Sequence, residues 1–437
     1  MKRLIDSKLL AWKASSNRKP LIVRGARQVG KTWSIEHFGA QQFDETVKID
    51  FEKRPDLIPL FKGDLSPAKL LDYLEVAVGR KIVPGKTLLF FDEAQACPRS
   101  IMALRYLYED LPDLHVIAAG SLLEFALGDI SVPVGRVSYL SLYPMTFREY
   151  LIATGNEAAA DAVARPPTVL AGPVHLMLLD ALKRYFFVGG LPECVATAAK
   201  GGTLLDVFAV QDDLLNAYRD DFAKYAGRSD RTCLDAVLLQ AARNVGHQIK
   251  YTRLAEAHSG QTNRKAFDLL CLARVLHKIP SANPVGLPLG ASANEKRFKA
   301  AFLDVGLMQR LCGLPADREL QHGDLLDIYR GQLAEQFVAQ ELLVTHEREL
   351  FYWSREARGS QAEVDFLAVQ NGRIHPVEVK SGAGGQLRSL YLALQNYPNC
   401  GEGLVLYSGA YGQRPEQRLR FIPLYYAGTI GPVRQDF

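Results

Sequence analysis

The sequence predicts an α/β protein led by a doubly wound parallel sheet, and three observations carry that prediction. Short apolar runs alternate with helix-like segments from residue 20 to about residue 155. The first run, Leu21-Ile-Val-Arg24, feeds directly into the glycine-rich stretch Gly25-Ala-Arg-Gln-Val-Gly-Lys-Thr32. A later run, Thr87-Leu-Leu-Phe-Phe-Asp92-Glu93, is apolar until it ends in two acids. A parallel strand buried on both faces, with carboxylates at its C-terminal edge, has that pattern.

Taken in order, the candidate strands are 21–24, 46–51, 87–92, 114–119 and 136–142. After the first, Gly25, Ala26, Arg27, Gln28, Val29 and Gly30 form a loop that fits G-x-x-x-x-G-K-[ST], and Lys31, Thr32 and Trp33 open a helix. Its glycines let backbone N–H groups face phosphate oxygens, Lys31 brings a point charge to the β/γ-phosphates, and Thr32 offers a hydroxyl to Mg²⁺. The implied ligand is a nucleoside triphosphate such as ATP. Ligands of open α/β sheets bind at the C-terminal strand edge, so Asp92 is placed to hold Mg²⁺ and Glu93 to polarise the attacking water. Ser121, after the run Leu114-His-Val-Ile-Ala-Ala-Gly120, either orients water at the γ-phosphate or caps the next helix.

Composition narrows the class. The chain has 437 residues, a net charge of +4, and six widely spaced cysteines without a C-x-x-C pair. Neither a zinc knuckle nor a secreted disulfide framework is suggested, and a reducing cytoplasm fits best. No apolar stretch approaches the roughly 18 residues of a membrane span, so a soluble chain without a membrane partner is expected.

Beyond the sheet, Ala, Pro and Gly accumulate over 156–173, which reads as a connection, and helical periodicity returns in 174–200 and 203–225. Residues 219–299 hold 14 Lys/Arg against 7 Asp/Glu. Within them, helix-like segments at 232–246, 251–258 and 261–275 precede a Pro/Gly-rich stretch and the strand-like Phe298–Leu303. Three helices and a hairpin suggest a winged helix, whose third helix would present Asn263, Arg264 and Lys265 to a DNA major groove. The alternative is an ordinary solvated basic face.

The C-terminal part places Glu335 on a helix and predicts strands at 350–354, 362–369 and 374–380. Asp365 and Glu378 can meet across adjacent strands around a divalent metal, while Glu378 and Lys380, two apart, share a face. A lysine beside metal-bound water is nuclease-type chemistry, with Glu335 as a third carboxylate. Plain cross-strand ion pairing is the competing reading.

In chain order these motifs resemble the prokaryotic AAA+-like ATPases in which an ATPase domain is followed by a winged helix and a C-terminal domain with a restriction-endonuclease-like fold. The resemblance rests on Arg24–Thr32, Phe91-Asp-Glu-Ala-Gln95, Gly120-Ser121, Gly135-Arg136 with Leu142–Glu149, Gly189–Glu193, Asp304–Leu307, Gly331–Leu342, Glu363–Phe366 and Val377–Lys380. It implies an ATPase core at 1–160, a helical lid at 161–225, a winged helix at 226–315 and the nuclease-like domain at 325–437. It also implies that Ser121 is a sensor. Arg136 is then either an arginine supplied to a neighbour's nucleotide, which requires a homo-oligomeric ring, or a salt bridge within the subunit. Leu122 departs from a serine-rich sensor loop. The implied function is a Mg²⁺-dependent ATPase acting on DNA, or a nucleotide-gated switch with a silent nuclease-like docking domain.

Overall fold

Four residues make the first strand, β1 (Leu21–Arg24), and the first three of them are buried because helices cover both faces of its sheet. The computed structural model describes residues 1–121, 123, 135–225, 231–313, 327–347, 349–357, 360–380 and 387–432, so Leu122 lies outside the described residues. The chain divides into two compact units, Lys2–Tyr143 and Pro144–Asp436.

In the N-terminal unit β1 is joined by β2 (Glu45–Asp50), β3 (Thr87–Asp92), β4 (His115–Ala119) and β5 (Ser138–Ser141) in the order β2-β3-β4-β1-β5, every pair parallel. All six residues of β3 are buried, which is why its sequence shows an unbroken apolar run instead of alternation. Phe51, Phe61 and Phe91 meet with centroids 5.3–5.7 Å apart and fill one face of the core. The crossover helices Lys31–Gln42, Pro67–Val78 and Pro98–Asp110 return the chain so that all five strands end at one edge. Proline in the first turn starts the second and third of these helices, where its missing N–H costs nothing. The loop after β1, the acids after β3 and Gly120-Ser121 after β4 therefore share that edge.

The C-terminal unit begins with helices Phe147–Ala153, Glu157–Ala164, Gly172–Val188, Pro192–Ala199 and Leu204–Tyr225. The helix expected over 174–200 is two, because Gly189, at φ 71°, ends the first and Pro192 starts the second. The break matters: Gly190 O accepts from Met145 N at 2.6 Å, and a Cβ on Gly190 would overlap the Met145 carbonyl. Tyr185 Oη donates to Met145 O (2.6 Å) and accepts from Gln340 Nε2 (2.6 Å), while Gln340 Oε1 takes Val305 N (3.0 Å). Asp304 accepts from Gly190 N (2.6 Å) and Leu307 N (3.0 Å), and Glu341 accepts from Phe147 N (2.8 Å). Four motifs scattered over 200 residues of sequence thus converge on one buried polar network, each supplying what another segment's backbone lacks.

The basic segment differs from expectation. Helices Arg231–Arg243 and Gly260–Leu272 form, but the expected middle helix is a single 3-10 turn, Tyr251–Arg253. Ile249 N is drawn off to Phe298 O, and Ser259 already caps the next helix through Thr262 N. The hairpin β6 (Leu276–Ser281) and β7 (Asn294–Phe302) then joins β8 (Phe351–Ala357), β9 (Ser360–Gln370), β10 (Arg373–Val379), β11 (Gly403–Tyr407), β12 (Gly412–Arg414) and β13 (Leu419–Pro423) in one eight-stranded sheet, order β12-β13-β11-β10-β9-β8-β6-β7. The link is β6 to β8, where Ser281 pairs with Tyr352 and Ala282 N donates to Tyr352 O at 2.8 Å. Ala282 and Leu289 pack in the same core as Trp353, Val364 and Leu390. The hairpin is consequently part of the C-terminal sheet, not a free-standing wing.

Candidate functional site

At the edge of the first sheet, Gly25 cannot carry a side chain, since its Cβ would overlap the Leu142 carbonyl. Leu142 N in turn donates to Arg24 O at 2.7 Å, which pins the loop to the chain leaving β5. Gly30, at φ 91°, turns into the helix Lys31–Gln42 and exposes that helix's N-terminus. Lys31 is buried, with its Nζ donating to Gly25 O (3.0 Å) and Ala26 O (2.7 Å), so its charge lies inside the loop. Ala26 and Val29 pack inward, Arg27 is half-buried, Gln28 is exposed in the left-handed region, and Trp33 is exposed and stacked on His37 with centroids 4.7 Å apart.

Thr32 Oγ1 lies 3.0 and 3.1 Å from the two oxygens of Asp92. Sequence reasoning missed the third member of this group, Lys48 of β2, whose ammonium stands 2.9 Å from Asp92 and 2.9 Å from Glu36. Burial works against the Lys48 charge, yet the hydrogen bonds that it donates to Asp92 and Glu36 hold its pKa above the ordinary lysine value. Burial raises the Asp92 carboxyl despite Lys48. Thr32 and Asp92 are two hard oxygen donors face to face beside a phosphate loop, and this set fits Mg²⁺.

Glu93 follows in the left-handed conformation (φ 48°), which swings its carboxylate off the strand line. Gln95 Nε2 donates to that carboxylate at 2.6 Å. Gln95 Oε1 fills the space where a Cβ of Gly120 would be, immediately before the buried Ser121. Arg136 pairs with Glu109 at 3.1 Å.

In the C-terminal unit, Glu335, Asp365, Glu378 and Lys380 come together, with two residues that were not singled out, Lys299 and Glu363. Lys299 Nζ lies 2.9 Å from Glu335, 2.7 Å from Glu363 and 3.4 Å from Asp365, and its side chain is 1% exposed. The second Asp365 oxygen accepts from Val379 N (2.8 Å), and Lys380 donates to Glu378 (2.6 Å). Burial works against the Lys299 charge, yet Glu335, Asp365 and Glu363 hold its pKa well above the ordinary value. Burial pushes the Glu335 and Glu378 carboxyls up. A charged residue inside the apolar run Phe298–Leu303 was the available signal for Lys299.

The expected DNA-reading trio separates. Asn263 is fully buried; its amide donates to Tyr251 O (2.8 Å) and Ala255 O (3.0 Å), so it fastens the preceding turn and cannot read a base. Arg264 and Lys265 are exposed, with Arg264 3.6 Å from Asp268 one turn on.

Comparison with known proteins places a family on the first of these sites. The family described as an AAA domain matches residues 17–151. Residues 17–151 make an AAA-type, ATPase-like domain. Two families described as domains of unknown function, DUF8612 and DUF4143, match residues 179–318 and 330–427. An uncharacterized protein of Methanocaldococcus jannaschii is 25% identical over 298 residues, or 65% of this chain; the chain spans about half, 52%, of that relative's length. Among solved structures, a Walker-type ATPase of Pyrococcus abyssi is similar at 15% identity and a TM-score of 0.47, covering 71% of this chain and 95% of that one. The RuvB Holliday junction branch migration motor of Thermotoga maritima is similar at 16% identity and a TM-score of 0.27, covering 62% and 86%. No helix among the described residues is long and apolar enough to cross a membrane.

Proposed function

We propose that the chain is a Mg²⁺-dependent ATPase whose nucleotide cycle drives action on DNA. The observation that carries the ATPase part is the approach of Thr32 Oγ1 to Asp92 at 3.0–3.1 Å, with Glu93 next in the chain and Lys31 inside the loop. Lys31 and the loop amides would bind the phosphates, and Thr32 and Asp92 would hold Mg²⁺, which would supply neutralisation of phosphate charge. Glu93 accepts the proton of the attacking water once Gln95 releases its carboxylate, and Ser121 orients that water. The DNA part is supported by the basic balance of residues 219–299 and by the exposed Arg264 and Lys265. Subunits acting on DNA as a ring would need Arg136 to leave Glu109 and face a neighbour.

A nucleotide-gated switch with a silent nuclease-like docking half is the second reading, favoured by the lysine that fills the carboxylate cluster. The deciding experiment is the ATPase rate of the purified chain alone and with duplex, single-stranded and branched DNA at two salt concentrations, with Lys31→Ala as the blank. Stimulation that fades with salt supports the first reading, because phosphate contacts release counterions. Turnover indifferent to every DNA form supports the second, and no turnover above the Lys31→Ala blank overturns both.

A further inference from the structure

The nuclease-type resemblance calls for a divalent metal among Glu335, Asp365 and Glu378, and the residues present do not fit one. Both Asp365 oxygens are engaged, one by the Lys299 ammonium and one by Val379 N. One Glu335 oxygen faces the same ammonium, and the other packs where a Cβ of Gly246 would lie 2.6 Å away. One Glu378 oxygen is taken by Lys380, which leaves the buried Glu378 Oε2 with no hydrogen-bond partner. Three carboxylates, Glu335, Glu363 and Asp365, each turn an oxygen to the Lys299 ammonium at 2.7–3.4 Å. No group of three or more His, Cys, Asp or Glu among the described residues is arranged to hold a metal ion.

We infer that Lys299 is the resident cation of this cluster, and that a divalent ion enters only after the Lys299 ammonium has left. The lysine comes from β7 of the hairpin, whereas the carboxylates come from the helix Asp327–Thr345 and from β9 and β10. The ammonium therefore fixes the hairpin against the nuclease-like half while it neutralises the acids that would ligate a metal. The two roles compete for the same atoms: the Glu335, Glu363 and Asp365 oxygens that would ligate a divalent ion are the ones that face the ammonium. The unpartnered Glu378 oxygen is the donor that such an exchange would satisfy. As long as the hairpin is seated, the cluster is closed to metal-dependent hydrolysis.

The test is Mn²⁺ uptake by the nucleotide-free full-length chain, followed by electron paramagnetic resonance, in wild type, Asp365→Asn, Lys299→Met and the double variant, with folding checked by circular dichroism. Wild type is expected to show no Mn²⁺ site that Asp365→Asn removes. Lys299→Met is expected to gain one site at least tenfold tighter than any in wild type, and the double variant to lose it. Lys299→Gln serves if Met disrupts folding. A wild-type Mn²⁺ site lost in Asp365→Asn overturns the inference, and so does a folded Lys299 variant that gains none.

Discussion

Glu341 is buried in the helix Asp327–Thr345, where one carboxyl oxygen accepts from Phe147 N at 2.8 Å and the other packs on Gly428. Burial, with the nearby charge of Glu149, pushes its carboxyl up to about 8 from an ordinary 4.5. Over that interval the folded chain keeps a proton that the unfolded chain releases. Stability is then full below about pH 4.5 and falls as pH rises toward 8, by about 1.4 kcal/mol per pH unit and roughly 5 kcal/mol in all. Glu341→Gln keeps the shape and the acceptor of the neutral acid but cannot ionise. Urea unfolding of both proteins between pH 5 and 8 is expected to show the variant gaining on wild type by about 1.4 kcal/mol per unit, with the two equal near the acid end. Taking the difference cancels groups common to both, including Asp304, whose carboxyl burial raises to about 6. Parallel curves across the range, or a variant that loses ground as pH rises, would refute the placement of a neutral acid here.

Glu93→Gln is expected to bind ATP with near wild-type affinity yet turn over at least about a hundredfold more slowly, as equilibrium titration and single-turnover rates would show. Gly190→Ala should destabilise the C-terminal unit by about 2 kcal/mol or more, read as a lowered midpoint in thermal unfolding, because its Cβ would overlap the Met145 carbonyl. Arg264→Ala with Lys265→Ala should weaken DNA binding about equally for all sequences and reduce the slope of log affinity against log salt by roughly 2; an unchanged slope would remove this surface from the DNA reading.

Strands β1, β3 and β4 of the first sheet were legible because burial on both faces leaves apolar runs that need no partner to be recognised, and the loop at Gly25–Thr32 because its backbone geometry demands glycine and lysine at set spacings. What could not be read were side chains that act across distant segments. Lys48 meets Asp92 only once β2 lies beside β3, and Lys299 meets Glu335 only once the hairpin is seated on the sheet. Asn263 failed as a DNA reader for a local reason: polar residues near a helix start face inward as readily as outward, and two backbone carbonyls were waiting inside. The middle helix failed because a neighbouring strand offered Ile249 a better backbone partner. Gly189-Gly-Leu-Pro and Asp304-Val-Gly-Leu were visible as motifs, but the network they complete was not.

The continuous sheet from β12 to β7 bears on where this protein can be cut. The two families of unknown function meet between residues 318 and 330, a natural place for a truncation. A cut there parts β6 from β8, bares a fresh strand edge on each fragment and strands Lys299 in an apolar setting without its acids. Fragments made at that point should clump or re-pair with intact copies. Tyr143/Pro144, where no ladder of either sheet is crossed, is the seam at which the chain can be divided into pieces that each keep a whole sheet.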